Sequence, residues 1–126
     1  MLSGTKVTAM LPVVDMTRAR KFYEETLQLP KPRVNPNGEA LFEVAGERFA
    51  LYPRSTPTRA DHTALSFEVK DLEGEMKTLR ARGVRFEDYD VPGLKTHDGV
   101  ADRGDERAAW FRDPEGNILC LHEERH

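Results

Sequence analysis

The strongest constraint in this sequence is that it repeats itself. A shift of 56 residues lays Asp15 on Asp71, Val13 on Val69, Leu11 on Phe67, Met16 on Leu72 and Tyr23 on Leu79. In the first half, the apolar run Val7 to Val14 reads as a buried strand. Met16, Ala19, Tyr23 and Leu27 then recur at three- and four-residue steps, which puts them on one helix face. Asp15 can cap the free N–H groups at that helix start, and Pro30 stops the helix by pushing Leu29 out of the helical region. In the second half, Thr63 to Val69 alternates as a strand does. Asp71 is again placed as a cap, Leu72, Met76 and Leu79 make one apolar stripe, and Gly83 closes the helix.

Each helix is followed by short β-prone runs. After the first come an edge strand at Lys31 to Val34, then Ala40 to Val44 and Arg48 to Tyr52, joined by the hairpin-sized Ala45-Gly46-Glu47. Pro53 to Arg59 reads as a linker. After the second come a strand candidate at Val84 to Tyr89, an irregular stretch from Asp90 to Glu106, and a hairpin of Ala108 to Arg112 with Ile118 to His122. Each half therefore reads strand–helix–strand–strand–strand. Two tandem βαβββ modules, about 5–53 and about 62–123, are expected within a single domain over 1–126, an α+β fold with mixed sheets.

Two stretches add a resemblance. LPVVDMTRARKFYEETLQL (Leu11 to Leu29) and AAWFRDPEGNILCLHE (Ala108 to Glu123) resemble the first strand–helix unit and the closing hairpin of the glyoxalase/bleomycin resistance/extradiol dioxygenase superfamily, also called vicinal oxygen chelate proteins. DHTALSFEVKDLEGEMKTLRARGV (Asp61 to Val84) is similar to that family's second strand–helix unit, so the likeness covers nearly the whole chain. It implies a cupped mixed sheet with a small-molecule site inside the cup, and commonly a homodimer. The DPEGN run itself reads as turn chemistry: Pro114 fixes φ, and Gly116 or Asn117 accepts positive φ.

The resemblance also implies where a divalent metal would be held, and there the sequence departs from the pattern. The four positions fall on Thr8, Ala64, Cys120 and either Ala50 or Tyr52, where the usual donors are imidazole or carboxylate. No metal and no other cofactor is therefore expected. The alternative is a rearranged site. His62 lies two residues before Ala64 and His122 two after Cys120, so strand alternation sends both to the face of the lost ligands. Such a site would use His62, His122 and Cys120.

Other candidates are organic. Trp110, Tyr52 and Phe42 are aromatics on strands that can stack on a planar ligand, and Thr8 and Cys120 stand at the former metal positions. Trp110 and Phe111 point to opposite faces, so one of them lines the pocket and the other the core. In the long stretch from Asp90 to Glu106, His97 beside Asp98 is a candidate general base. No phosphate-binding glycine loop and no serine nucleophile elbow is present.

Composition excludes whole classes of partner. With a net charge of -3 and no basic run, neither nucleic acid nor an anionic membrane surface is an expected partner. No apolar stretch approaches the roughly 20 residues that span a bilayer. The single cysteine forbids an internal disulfide, and together with an N-terminus lacking an apolar core it favours the cytoplasm. Three functions stay open: a metal-independent small-molecule-binding protein, a metal-dependent lyase, isomerase or dioxygenase-like enzyme with a rearranged site, and metal-free acid/base catalysis around His97.

Overall fold

A computed structural model of the chain describes residues 1–125. The chain divides into two compact units. One is Met1–Arg59 together with Pro114–Gly116, and the other is Ala60–Asp113 together with the described residues from Asn117 onward.

The first unit contains β1 (Ala9–Val13), α1 (Met16–Lys21), β2 (Arg33–Val34), β3 (Ala40–Val44) and β4 (Glu47–Pro53). Asp15 caps α1 as expected, its carboxylate accepting the Arg18 backbone N–H at 3.1 Å. The helix then widens into a π-helical turn over Phe22–Thr26, where the Leu27 N–H reaches the Phe22 carbonyl. The sheet order is β1-β4-β3-β2, with β1 parallel to β4 and the other pairs antiparallel. β3 and β4 are joined by Ala45-Gly46, with φ of 50° and 85°, the two positive values of a type I′ hairpin turn. Tyr23 packs against Phe42 and Phe49, which stack face to face with centroids 4.9 Å apart. Leu11, Val13 and Leu51 complete this buried core.

The second unit repeats the plan. It contains β5 (Thr63–Glu68), α2 (Leu72–Ala81), β6 (Asp90–Val91), β7 (Leu94–Lys95), β8 (Ala101–Asp102), β9 (Glu106–Arg112) and β10 (Ile118–Glu124). The sheet order β5-β10-β9-β8 has the same pattern of one parallel and two antiparallel pairs. Asp71 caps α2 through the Gly74 N–H at 3.1 Å, and Gly83 lies beyond its end at φ 93°. Leu72, Met76, Leu79, Phe111 and Leu119 are buried. Two mixed four-stranded sheets, each carrying one principal helix, make this an α+β fold.

One expected strand is corrected. Val84 to Tyr89 is not a strand; only Phe86 forms an isolated bridge, to Phe111. The fourth strand of this sheet is β8, from within the stretch read as irregular, and that stretch also holds the β6–β7 hairpin. Two-residue strands are too short to show alternation, so only their pairing reveals them.

Candidate functional site

Strand alternation gives each sheet a helix side and an opposite face. In the first unit, Phe42 and Phe49 meet Tyr23 on the helix side. Phe42, one of the ligand candidates, is therefore fully buried among aromatics and has no surface to offer a ligand. The opposite face carries Thr8, Met10 and Pro12 from the first strand and its approach, and Arg48, Ala50 and Tyr52 from β4. Met10 is 48% exposed, while Thr8, Pro12, Arg48 and Tyr52 are half-buried. The polar groups on this face are the Arg48 guanidinium, whose Nη2 donates to Thr8 Oγ1 at 3.0 Å, the exposed Glu43 opposite it in β3, and the exposed Arg33 of β2, which is paired with Leu41.

In the second unit, Arg107 and Glu123 bond to α2 residues: Arg107 pairs with Glu73, and Glu123 accepts the Leu72 N–H at 2.8 Å. Odd-numbered residues of β9 and β10 thus face the helix. Phe111 takes that side, and Trp110 takes the other. With Ala101, Ala108, Ile118 and Cys120, Trp110 forms an apolar cluster against which Tyr89 and Leu94 pack. The Tyr89 ring meets the indole edge-on at 5.8 Å, and Trp110 Nε1 donates to Thr63 Oγ1 at 3.1 Å, satisfying the one polar atom of the indole. Trp110 and Cys120 are 7% and 5% exposed, so this half of the candidate set lies beneath Tyr89 and Leu94. Burial pushes the Cys120 thiol up against the weaker opposing effect of a hydrogen bond with Ser66, which keeps it protonated at neutral pH.

The same face runs on to polar chemistry at its end. Ser66 Oγ lies 2.6 Å from His122 Nδ1, and His122 Nε2 is 3.9 Å from Glu68 Oε1. His122, Glu68 and Glu124 bring one ligand atom each within 4.8 Å of one another. Asp71, Glu73 and Glu123 do so too, but two of these three carboxylates, Glu73 and Glu123, are already paired with Arg107. His62 and Cys120 belong to neither group: His62 is exposed, with Nδ1 3.2 Å from the Thr63 carbonyl, and Cys120 is buried in the apolar cluster. The rearranged site expected from His62, His122 and Cys120 is therefore not what the fold gathers. The register shifts between Ile118 and Leu119 opposite β5, which breaks the simple alternation on which that expectation stood. The positions implied by the resemblance do not fit a metal either, since Thr8, Ala64, Ala50 and Tyr52 bring no imidazole or carboxylate.

His97 lies at the rim of a cleft of about 390 Å³ lined also by Met76, Arg80, Asp98 and Arg107. Its Nε2 is 3.5 Å from Asp98 Oδ2, but the two side chains are 96% and 90% exposed. Water thus screens the pair.

Glu115 is a residue whose role the sequence reading missed. Read as part of a turn, it is 5% exposed and serves the start of α1. Its Oε1 accepts the Val14 N–H at 2.5 Å, and its Oε2 takes Asp15 N–H at 3.2 Å and Arg18 Nη2 at 2.7 Å. Burial alone would raise its pKa, but these donors outweigh it, and the carboxyl lies below its ordinary range. No sequence signal marks this, because the partners are about a hundred residues away.

Comparison with known proteins adds the following. The family model described as Glyoxalase/Bleomycin resistance protein/Dioxygenase superfamily matches residues 7–121. A solved member of that superfamily from Sphaerobacter thermophilus DSM 20745 is similar, with 27% identity and a TM-score of 0.74 over 98% of this chain and 100% of the other. TnmS3, an antibiotic binding protein from Streptomyces sp. CB03234, shares 22% identity with a TM-score of 0.70 over 99% of each chain. FosX, a fosfomycin resistance protein from Listeria monocytogenes solved with Mn(II) and sulfate, shares 16% with a TM-score of 0.72 over 99% of this chain and 93% of the other. No curated protein sequence matches the chain.

Proposed function

Because the chain belongs to the glyoxalase/bleomycin resistance protein/dioxygenase superfamily, we propose that it binds a small hydrophobic or aromatic molecule stoichiometrically, without a metal at the positions the family resemblance implies. The observation that carries this is the sheet face of the first unit, where Thr8, Met10, Pro12 and Tyr52 leave a largely apolar, partly open surface. TnmS3, an antibiotic binding protein, supports the same reading by analogy of fold. Trp110 and Cys120 serve a ligand only once Tyr89 and Leu94 have moved aside. The reading includes a cytoplasmic location, favoured by the lone buried thiol, and a homodimer.

The test is a thermal-shift screen of aromatic small molecules, followed by calorimetric titration of those that stabilise. Saturable uptake near one per chain, weakened by Tyr52→Ala, with the ligand recovered unchanged, is the expected result. Chemical conversion of the bound molecule would sink the binding-only reading.

A second reading has one specific observation in its favour. If Nδ1 of His122 donates to Ser66, the tautomer leaves Nε2 with a free lone pair on the side of Glu68, as a metal-binding imidazole requires. Elemental analysis of the purified protein decides it. Near-stoichiometric zinc, nickel or manganese that is lost in His122→Ala would support a Glu68/His122/Glu124 centre, and a metal-free protein whose melting point no such ion shifts would reject it.

A further inference from the structure

Arg48 differs from the other charged residues on its face. It is half-buried on the largely apolar face of the first unit, where Arg33 and Glu43 are exposed, and its Nη2 is held by Thr8 at 3.0 Å. Its Nε is buried and has no hydrogen-bond partner, a condition found at no other buried side-chain atom among the described residues. Nor does Arg48 take part in any ion pair among the described residues. Glu43, its direct cross-strand neighbour, is exposed and makes no bond with it. A buried guanidinium N–H without an acceptor is costly, and native proteins seldom leave one so without a reason. Permanent charge and a planar fork of donors make arginine the natural partner of a two-oxygen anion.

We infer that Arg48 is the anion-recognising residue of this face, and that the molecule bound there is an apolar or aromatic compound carrying a carboxylate, sulfonate or phosphonate. Nε and Nη2 form one edge of the guanidinium. An anion that takes the place of Thr8 Oγ1 accepts from Nη2 with one oxygen and from Nε with the other, so the orphaned donor is satisfied when the ligand arrives. Met10, Ala50 and Tyr52 then contact the apolar body. Thr8 guards the edge in the free protein and gives up its hydrogen bond on binding. This inference rests on the small-molecule reading above and adds the charge class of the ligand to it.

The test uses two probes that share an anilinonaphthalene skeleton and differ in charge: 8-anilinonaphthalene-1-sulfonate and the neutral N-phenyl-1-naphthylamine. Fluorescence titrations are run on the whole chain, on Arg48→Gln, on Arg48→Lys and on Tyr52→Ala. The unsubstituted protein is expected to favour the sulfonate by about tenfold, a preference that shrinks with added salt. Arg48→Gln should erase the preference by weakening the sulfonate probe about tenfold more than the neutral one, and Arg48→Lys should keep part of it. Tyr52→Ala should weaken both probes. Equal affinity for the two probes, unmoved by Arg48→Gln while Tyr52→Ala still weakens both, overturns the anion assignment and leaves the binding reading intact. No binding of either probe, or binding that Tyr52→Ala leaves untouched, overturns the binding reading at this face and the anion assignment with it. Because both probes also bind the exposed apolar surface of partly folded chains, the fold of each variant is checked by near-ultraviolet circular dichroism, whose collapse marks a loss of packing. In that event Arg48→Lys, which retains the charge and packing stem, carries the decision.

Discussion

Glu115 and Arg18 are 97 residues apart in sequence, and their side chains meet at 2.7 Å at the start of the first helix. The carboxylate is 1% exposed and the guanidinium 53%, so the Arg18 share of the interaction is screened by water. The two backbone N–H groups of Val14 and Asp15 are held by the chain itself, so their bonds to Glu115 order no long side chain beyond it. Asp15 already caps this helix, and Glu115 adds acceptors one step upstream.

Replacing Glu115 by alanine should therefore destabilise the protein by about 2 kcal/mol, the scale for hydrogen bonds to a charged group. Urea denaturation followed by circular dichroism measures it. Arg18→Ala should cost less than half as much, since it leaves both N–H bonds in place. Equal losses in the two variants would show that the ion pair and not the backbone contact dominates.

The same group predicts how stability depends on acid. A carboxyl whose folded pKa lies below its unfolded value adds stability that is complete above the unfolded value, ordinarily near 4.5, and fades as pH falls through the folded one. Glu123 behaves likewise, held down first by the Leu72 N–H and then by Arg107. The melting temperature should be flat toward neutrality and fall below about pH 4.5. Glu115→Gln should flatten that acid limb, and an unchanged limb would remove Glu115 as its cause.

The repeat and both helix caps were legible in the sequence because they are local. Asp15 and Asp71 reach N–H groups three residues on. The hairpin turn at Ala45-Gly46 was legible for the same reason. The service Glu115 gives to α1 was not, nor the Thr8–Arg48 bond across 40 residues, because no pattern in the chain announces a partner that distant. Phe42 shows a different limit. Alternation sorts residues into two faces but does not say which one the helix covers, and Phe42 fell on the covered one. β8 went unread because a strand of two residues exists only through its neighbour, whereas Val84 to Tyr89 has strand-like residues but gains only the single bridge at Phe86.

Trp110 is the single tryptophan, so its emission reports one place. In the free protein the indole is buried beside Tyr89, and its emission should be blue-shifted and poorly quenched by acrylamide. Tyr89→Ala should shift it to the red and increase quenching severalfold. The same substitution should speed reaction of Cys120 with a thiol reagent, because it removes cover from the cluster both residues share. If neither probe changes, Tyr89 is not the cover.

Ala45 sits at φ 50°, a left-handed value that a β-carbon disfavours. Ala45→Asn should stabilise the hairpin by about 0.5 kcal/mol, since asparagine tolerates this position of a type I′ turn. Ala45→Val should destabilise it, and thermal unfolding of the pair would read both.

The position of Glu115 has a bearing on how the molecule is made. Apart from Pro114–Gly116, the first unit is drawn from residues 1–59, so this acceptor arrives only when that turn has been synthesised. At ribosomal speeds that is a delay of several seconds. Through that interval the nascent N-terminal half must hold α1 with Asp15 alone. Late codons thus control the completion of an early structure, and a chain stalled before residue 115 would be a substrate for chaperones and proteases although most of it has already emerged.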